Sequence, residues 1–237
     1  MNQQPSQQVE KGSRYVVAVD GPAGAGKGAV CRAVAQRYGF SYLDTGSIYR
    51  AVALLSLNNP LSDQEALGCL AAQMPFEFRA VEGAGFRAFL GGEDVTVALR
   101  EERVGLRASQ VAAVPQVRQA LLTFQRRYGG SQNIILDGRD TGSVVWPDAD
   151  LKIFLTASLD ERAKRRALEL QQKGETVSFH KIRERIAQRD EQDSSRAHAP
   201  LAPAPDARRV DTTLLTLEQS IDRVADLVDE MVGNKPR

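Results

Sequence analysis

Tyr15-Val16-Val17-Ala18-Val19-Asp20 runs directly into Gly21-Pro22-Ala23-Gly24-Ala25-Gly26-Lys27-Gly28-Ala29. A short β-branched run that stops at a glycine-rich turn has the pattern of a buried parallel strand. The turn carries the spacing G-x-x-x-x-G-K, and a helix is predicted from Gly26 with Val30, Ala33, Val34 and Tyr38 on one stripe. Glycines let successive backbone N–H groups turn inward around a phosphate. The helix N-terminus adds about half a positive charge, and Lys27 reaches the outer phosphates as a point charge. The junction therefore predicts an α/β protein that grips a polyphosphate. Gly28 stands where a hydroxyl-bearing residue is expected after the lysine, and Ala29 supplies none either. A magnesium ion accompanying the phosphates must then be held by phosphate, water and a carboxylate elsewhere, for which Asp137 and Asp20 are the candidates.

Working outward, Phe40 to Leu43 reads as a second strand and Ser47 to Leu55 as a helix. Residues 62–100 change character: Phe76-Glu77-Phe78 and Phe86 to Leu90 alternate with period two around Gly83 and Gly85, predicting a hairpin-rich insert. Pro115 suits the first turn of a helix bearing Val117, Ala120, Leu121, Phe124 and Tyr128. Ile134 to Asp137 and Lys152 to Thr156 are further buried strands, and Leu159 to Gln172 is an arginine-rich helix. Ser178 is placed to cap a helix that buries Phe179, Ile182 and Ile186. Thr216 with Gln219 forms a capping box before a last helix carrying Ile221, Val224, Val228 and Met231. Residues 1–14 are polar and aperiodic and are expected to be disordered; 231–237 are expected to be a flexible end. Alternation of strands and helices predicts a parallel sheet within one domain over 15–230.

Composition narrows the function. The 237 residues carry 31 basic and 30 acidic side chains, a net charge of +1, which argues against a general basic surface for nucleic acid. Cys31 and Cys69 form no C-x-x-C pair, which disfavours a disulfide framework or a cysteine zinc site, and no apolar run reaches about eighteen residues. A cytoplasmic protein without membrane partners is expected. His180 and His198 have no metal spacing.

Of the 31 basic residues seven are lysine, so 24 are arginine, whose rigid fork matches phosphate oxygens in pairs. Arg139 directly follows the strand ending at Asp137, where open α/β sheets bind ligands. Arg162, Arg165 and Arg166 at i, i+3 and i+4 are expected on one helix face, with Glu161 and Glu169 as neighbours that would make it a solvated face instead. Arg185, Arg189, Asp193 and Arg196 follow helical steps of four, four and three.

A lysine-bearing phosphate loop with an arginine-rich helical lid resembles the nucleoside monophosphate kinases. Leu43-Asp44-Thr45-Gly46-Ser47-Ile48-Tyr49-Arg50, Ser109-Gln110-Val111-Ala112-Ala113, Asp137-Gly138-Arg139-Asp140-Thr141-Gly142 and Arg189-Asp190-Glu191-Gln192-Asp193 through Arg196 look like the bacterial cytidylate kinase motifs, in order and spacing from about residue 15 to 230. The resemblance implies a five-stranded parallel sheet flanked by helices, a monophosphate-binding insert at about 62–100 and a lid at about 157–196. It implies transfer of the ATP γ-phosphoryl group to CMP or dCMP by a monomer, with Mg²⁺ accompanying ATP. It puts Gly21 to Ala29 around ATP, and Thr45, Arg50, Arg139 and Arg189 around the acceptor's phosphate and sugar. Ser109, Arg118, Asp140 and Arg196 would read cytosine, and Asp193 the ribose hydroxyl. Lys27, Arg139, Arg162, Arg165, Arg166 and Arg189 would carry the catalysis; apart from the resemblance, the strand-end position of Asp137 lets it reach the metal through water. Cytosine's amino donor and its carbonyl and ring-nitrogen acceptors complement an aspartate beside arginine and serine donors.

Ala23 and Ala29 depart from the commoner family pattern, which has serine and threonine there. Each loss removes a hydroxyl donor to phosphate, which implies a weaker hold on ATP or slower turnover. The alternatives are a kinase of UMP, AMP or a hydroxylated metabolite, and a non-catalytic nucleotide-binding module. A GTP switch is disfavoured because N-K-x-D is absent: Asn234-Lys235 is followed by Pro236-Arg237.

Overall fold

The computed structural model describes residues 14–58, 63–81, 85–129, 132–172, 174–196 and 199–234. The expected tail, apart from Arg14, lies outside the described residues, as do His198 and 235–237. The chain divides into two compact units, residues 1–41 with 132–237 and residues 42–131.

In the first unit, β1 (Val16–Asp20) has every residue buried, because it is flanked on both sides by parallel neighbours. It pairs with β6 (Ile134–Gly138) in the register Val16↔Ile134 to Asp20↔Gly138, and with β7 (Leu151–Thr156) from Val17↔Leu151. β7 pairs in parallel with β8 (Arg208–Asp211), and β2 (Ser41–Asp44) completes the order β2-β6-β1-β7-β8. The expected five-stranded sheet is thus present. The Asn133 side chain and the Asp150 carboxylate accept from the N–H groups of Tyr15 and Val16, closing the strand's entry.

α1 (Lys27–Tyr38) leaves the phosphate loop and buries Val30, Cys31, Val34 and Ala35; Cys31 and Ala35 take the place expected for Ala33, which is half-buried. α8 (Leu217–Asn234) packs on α1, and Tyr38 donates to the Ala225 carbonyl at 3.0 Å. Its capping box forms as expected: Gln219 N–H donates to Thr216 Oγ1 and Thr216 N–H to Gln219 Oε1. Met231 to Asn234 are the last residues of this helix. α6 (Leu159–Gln172) and α7 (Phe179–Ser194) pack together around Ala163, Ile182 and Ile186. Ser178 stands at the N-cap without a side-chain bond, and Phe179 stays 42% exposed, contrary to expectation. Leu159, Ala167, Leu170 and Val177 already close that small core.

The second unit holds α2 (Thr45–Asn58), α3 (Gln64–Gln73), α4 (Glu102–Val111) and α5 (Pro115–Gly129). It also holds the antiparallel sheet β3 (Phe76–Val81), β4 (Gly85–Leu90) and β5 (Glu93–Asp94). The expected hairpin appears in the register Phe76↔Leu90 to Val81↔Gly85. Residues 62–100 are nevertheless not all hairpin, because α3 occupies ten of them, capped by Asp63 accepting from Ala66 N–H at 2.8 Å. α3 packs on α5 so closely that a Cβ on Gly68 would sit 2.6 Å from Gln116 Cβ. Among the described residues no helix is long and apolar enough to cross a membrane.

Candidate functional site

The strand register sets the site in the first unit. β1 and β6 end side by side, so the phosphate loop after Asp20 emerges next to the turn that starts at Arg139. The loop's shape depends on Gly21, whose φ is +150°: a Cβ there would lie 1.9 Å from the Leu155 carbonyl oxygen. Gly24 (φ +77°) similarly admits the close approach of Arg162 Cβ.

Lys27, the first residue of α1, turns its buried ammonium back into the loop. Nζ donates to the Gly21 carbonyl at 2.8 Å and the Pro22 carbonyl at 3.0 Å, with Asp137 Oδ1 at 3.9 Å. Arg139 Nη1 donates to the same Gly21 oxygen at 2.8 Å. A cation from the start of α1 and one from the end of β6 thus converge on one carbonyl. Burial pushes the Lys27 ammonium down to about 8; the Arg139 guanidinium adds to the fall, while Asp137 opposes it. A polyphosphate set against Nζ favours the charged form and lifts that value again. Binding of a nucleoside triphosphate at about pH 8.5 is therefore expected to take up protons, and affinity to fall as pH rises through 8. Calorimetry in two buffers of different protonation enthalpy checks this. A buffer-independent binding enthalpy would contradict it, and Lys27→Arg, whose guanidinium stays charged, should abolish the uptake.

Arg139 Nε donates to Asp193 Oδ2 at 2.9 Å, and Arg196 Nη2 donates to Asp193 Oδ1. Asp193 is 2% exposed, so one buried carboxylate bridges two guanidiniums and removes their mutual repulsion. α7 ends at Ser194, so Arg196 reaches this pair from beyond the helix rather than from the continuous face expected for it. Arg189 is half-buried on α7, Arg185 is exposed, and Asp140 is buried beside Arg139.

The three arginines of α6 do not act as one face. Arg162 is buried, donating to the Ala157 and Ala23 carbonyls and to Asp190 Oδ2 at 2.6 Å. Arg165 donates to Glu161, to the Thr212 carbonyl at 2.6 Å and, at 3.4 Å, to the Ala25 carbonyl. Arg166 pairs with Glu169 on the surface. At 3.6 residues per turn, i+3 and i+4 diverge to opposite sides of i, so Arg165 leans towards the loop and Arg166 away from it. The glutamates named as neighbours do form ion pairs, but only Arg166 is confined to one among the contacts described.

The loop carbonyls of Gly21, Pro22, Ala23 and Ala25 are thus held by Lys27, Arg139, Arg162 and Arg165. Asp20 is not available to a metal as expected: its carboxylate accepts Thr141 N–H, Thr141 Oγ1–H and Gly142 N–H. Asp137 is buried, with Oδ1 3.9 Å from Lys27 Nζ. Among the described residues no group of three or more His, Cys, Asp or Glu is arranged to hold an ion by itself. Nothing in the sequence pointed to Thr212 or to the latch formed by Asp20, while Thr141 and Asp190 lay inside quoted motifs without a role.

In the second unit, Thr45 is buried at the start of α2, where Asp44 accepts from the Ser47 N–H and hydroxyl. Arg50 donates to the Leu99 carbonyl at 2.7 Å, and its guanidinium is close enough to Gly105 that a Cβ there would be 3.3 Å from Nη1. Ser109 Oγ sits 3.5 Å from the Gly105 carbonyl, and the Arg118 guanidinium stands 6.0 Å from the Tyr49 ring centroid. Arg50, Gly105 and Ser109 therefore form one cluster and Arg118 with Tyr49 another.

Residues 17–230 match the family model described as cytidylate kinase. The chain is 60% identical over 219 residues to a cytidylate kinase of Magnetococcus marinus, covering 92% of this chain and 97% of that one. It is 48% identical over 216 residues to one of Pseudomonas aeruginosa, covering 90% and 94%. Among solved structures it is similar to a shikimate kinase from Bacteroides thetaiotaomicron at TM-score 0.45 and 13% identity, covering 91% and 98%.

Proposed function

The chain belongs to the cytidylate kinase family and is a (d)CMP kinase, and from that premise we propose how its residues divide the transfer of the ATP γ-phosphoryl group to the 5′-phosphate of CMP or dCMP. The observation that carries the reading is the shared Gly21 carbonyl, where Lys27 and Arg139 meet. A donor phosphate cradled by the loop and an acceptor phosphate held by Arg139 must come together at such a point.

The nucleophile is itself a phosphate oxygen, already anionic near neutral pH, so no general base is needed and catalysis is alignment plus neutralisation of charge. Lys27 binds the outer phosphates of ATP and leaves the Gly21 and Pro22 carbonyls to do so. Arg162 and Arg165 brace the loop's carbonyls, keeping its N–H groups turned inward. Arg189 and Arg139 hold the acceptor phosphate. Asp193 sets Arg139 and Arg196, and its oxygens are also offered to the ribose hydroxyl. Asp140 accepts the cytosine amino group beside Arg196, which favours cytosine because uracil presents a carbonyl acceptor instead. Thr45, Arg50, Ser109 and Arg118 carry the acceptor-side roles implied by the family motifs, and Arg166 that of an outer lid cation. Asp137 would hold, through water, the Mg²⁺ that accompanies ATP, which would supply charge neutralisation on the triphosphate. The reading includes a cytoplasmic monomer that takes nucleotides as its partners.

The test is ADP release from MgATP with CMP, dCMP, UMP or AMP, beside a no-acceptor control. Fast turnover confined to the cytidine acceptors is expected. Equal rates with UMP would remove the base-reading roles of Asp140 and Arg196, and no turnover with any acceptor would overturn the reading.

A further inference from the structure

Asp20 ends β1 one residue before the phosphate loop, and nothing in the transfer described above uses it. Yet its carboxylate is 4% exposed and accepts three hydrogen bonds, all from the two residues that follow Arg139-Asp140. Oδ1 takes the Thr141 N–H at 2.8 Å and its hydroxyl at 2.7 Å; Oδ2 takes the Gly142 N–H at 2.8 Å. These donors open the π-turn Thr141–Val145, and Thr141 itself is fully buried. Gly142 is wedged too, since a Cβ there would lie 3.2 Å from the Lys152 side chain and 3.4 Å from Ala18 Cβ.

We propose that Asp20 is a positioning residue for the acceptor: by gripping the chain just after Arg139-Asp140 it fixes where those two side chains present themselves. The inference rests on the reading of Arg139 and Asp140 as acceptor contacts. Its physical basis is geometric. A turn of five residues leaving a strand end has many conformations, and two N–H groups pointed at one carboxylate select among them. Burial raises the Asp20 carboxyl from its ordinary value, while the three donors favour the ionised form, so the latch is held against a desolvation cost. β1 supplies that carboxylate from a strand paired on both sides.

Asp20→Asn keeps the size but sets an amide N–H₂ against one of the donors. The KM for CMP is expected to rise about tenfold or more, with the KM for MgATP moving less than about threefold. Thr141→Val removes only the hydroxyl donor and is expected to raise the CMP KM about three- to tenfold, while Thr141→Ser, which keeps it, stays within about twofold of the parent. A merely structural role would lower the active fraction, and with it kcat, without moving either KM. Unchanged KM values in both Asp20→Asn and Thr141→Val would overturn the proposal, as would a MgATP KM that rises as much as the CMP KM. Should Asp20→Asn not fold, the Thr141→Val and Thr141→Ser pair decides it. Arg139→Ala and Asp140→Asn run alongside. If they leave the CMP KM unchanged, the acceptor reading itself falls and takes this inference with it. If they raise it while the Asp20 and Thr141 variants do not, only the positioning role fails.

Discussion

Lys27→Met is expected to lower kcat/KM for MgATP by about a thousandfold or more, with the fold retained. Methionine keeps the length and apolar stem of a side chain that is already 6% exposed, so shape is not what is lost. What is lost is the one cation that α1 turns into the loop, at the place where charge on the transferring group must be neutralised. Two side effects follow. The Gly21 carbonyl still receives Arg139, so the loop keeps that tether. Asp137 loses a cation 3.9 Å away, which costs stability because a buried carboxylate is left less compensated. Adding Asp137→Asn should recover thermal stability and no activity. Steady-state kinetics beside thermal unfolding of the single and double variants separates these effects; kcat/KM within about tenfold of the parent would contradict the role of Lys27.

Arg139→Ala is expected to lower kcat/KM for CMP by about a hundred- to a thousandfold, and Asp193→Ala to come close to it. Asp193 is bonded to both Arg139 and Arg196, and its side chain is 3% exposed. Without it, two guanidiniums face each other with no anion between them and move apart. Without Arg139, Asp193 keeps Arg196 but the acceptor loses the cation nearest the phosphate loop. Because both variants remove the Arg139–Asp193 bond, the double variant should be worse by less than the product of the two losses. The four-protein cycle measures this directly as kcat/KM for CMP. Losses that multiply, so that the double variant is worse by the product of the two, would show that Arg139 and Asp193 work independently.

Much of the fold was legible because its signals are contiguous. β1 and β6 begin as short continuous apolar runs, β7 carries Ile153-Phe154-Leu155, and the Thr216/Gln219 box is a local exchange of hydrogen bonds over three residues. α3 was not legible: Ala66 to Ala72 is nearly continuous apolar sequence interrupted by Gly68, so it offers no stripe. Its docking on α5 rests on the close fit of Gly68 on Gln116, which no window of sequence contains. Asp20 illustrates the same limit at the site. Its place between strand and phosphate loop made it a plausible metal neighbour, and only the donors 121 and 122 residues away show that its oxygens are committed.

By itself the sequence determined the strand–loop–helix with its lysine, and the family motifs in their order. All of these depend on neighbours along the chain, where backbone geometry translates spacing directly into position. Which arginine does what was decided by tertiary structure. Arg139 reaches Gly21 across 118 residues and Arg162 reaches Asp190 across 28, while Arg166, four places from Arg162, pairs with Glu169 at the surface. An ion pair answers to distance in space and to the burial around it, and neither quantity is written in the spacing of charges along the chain.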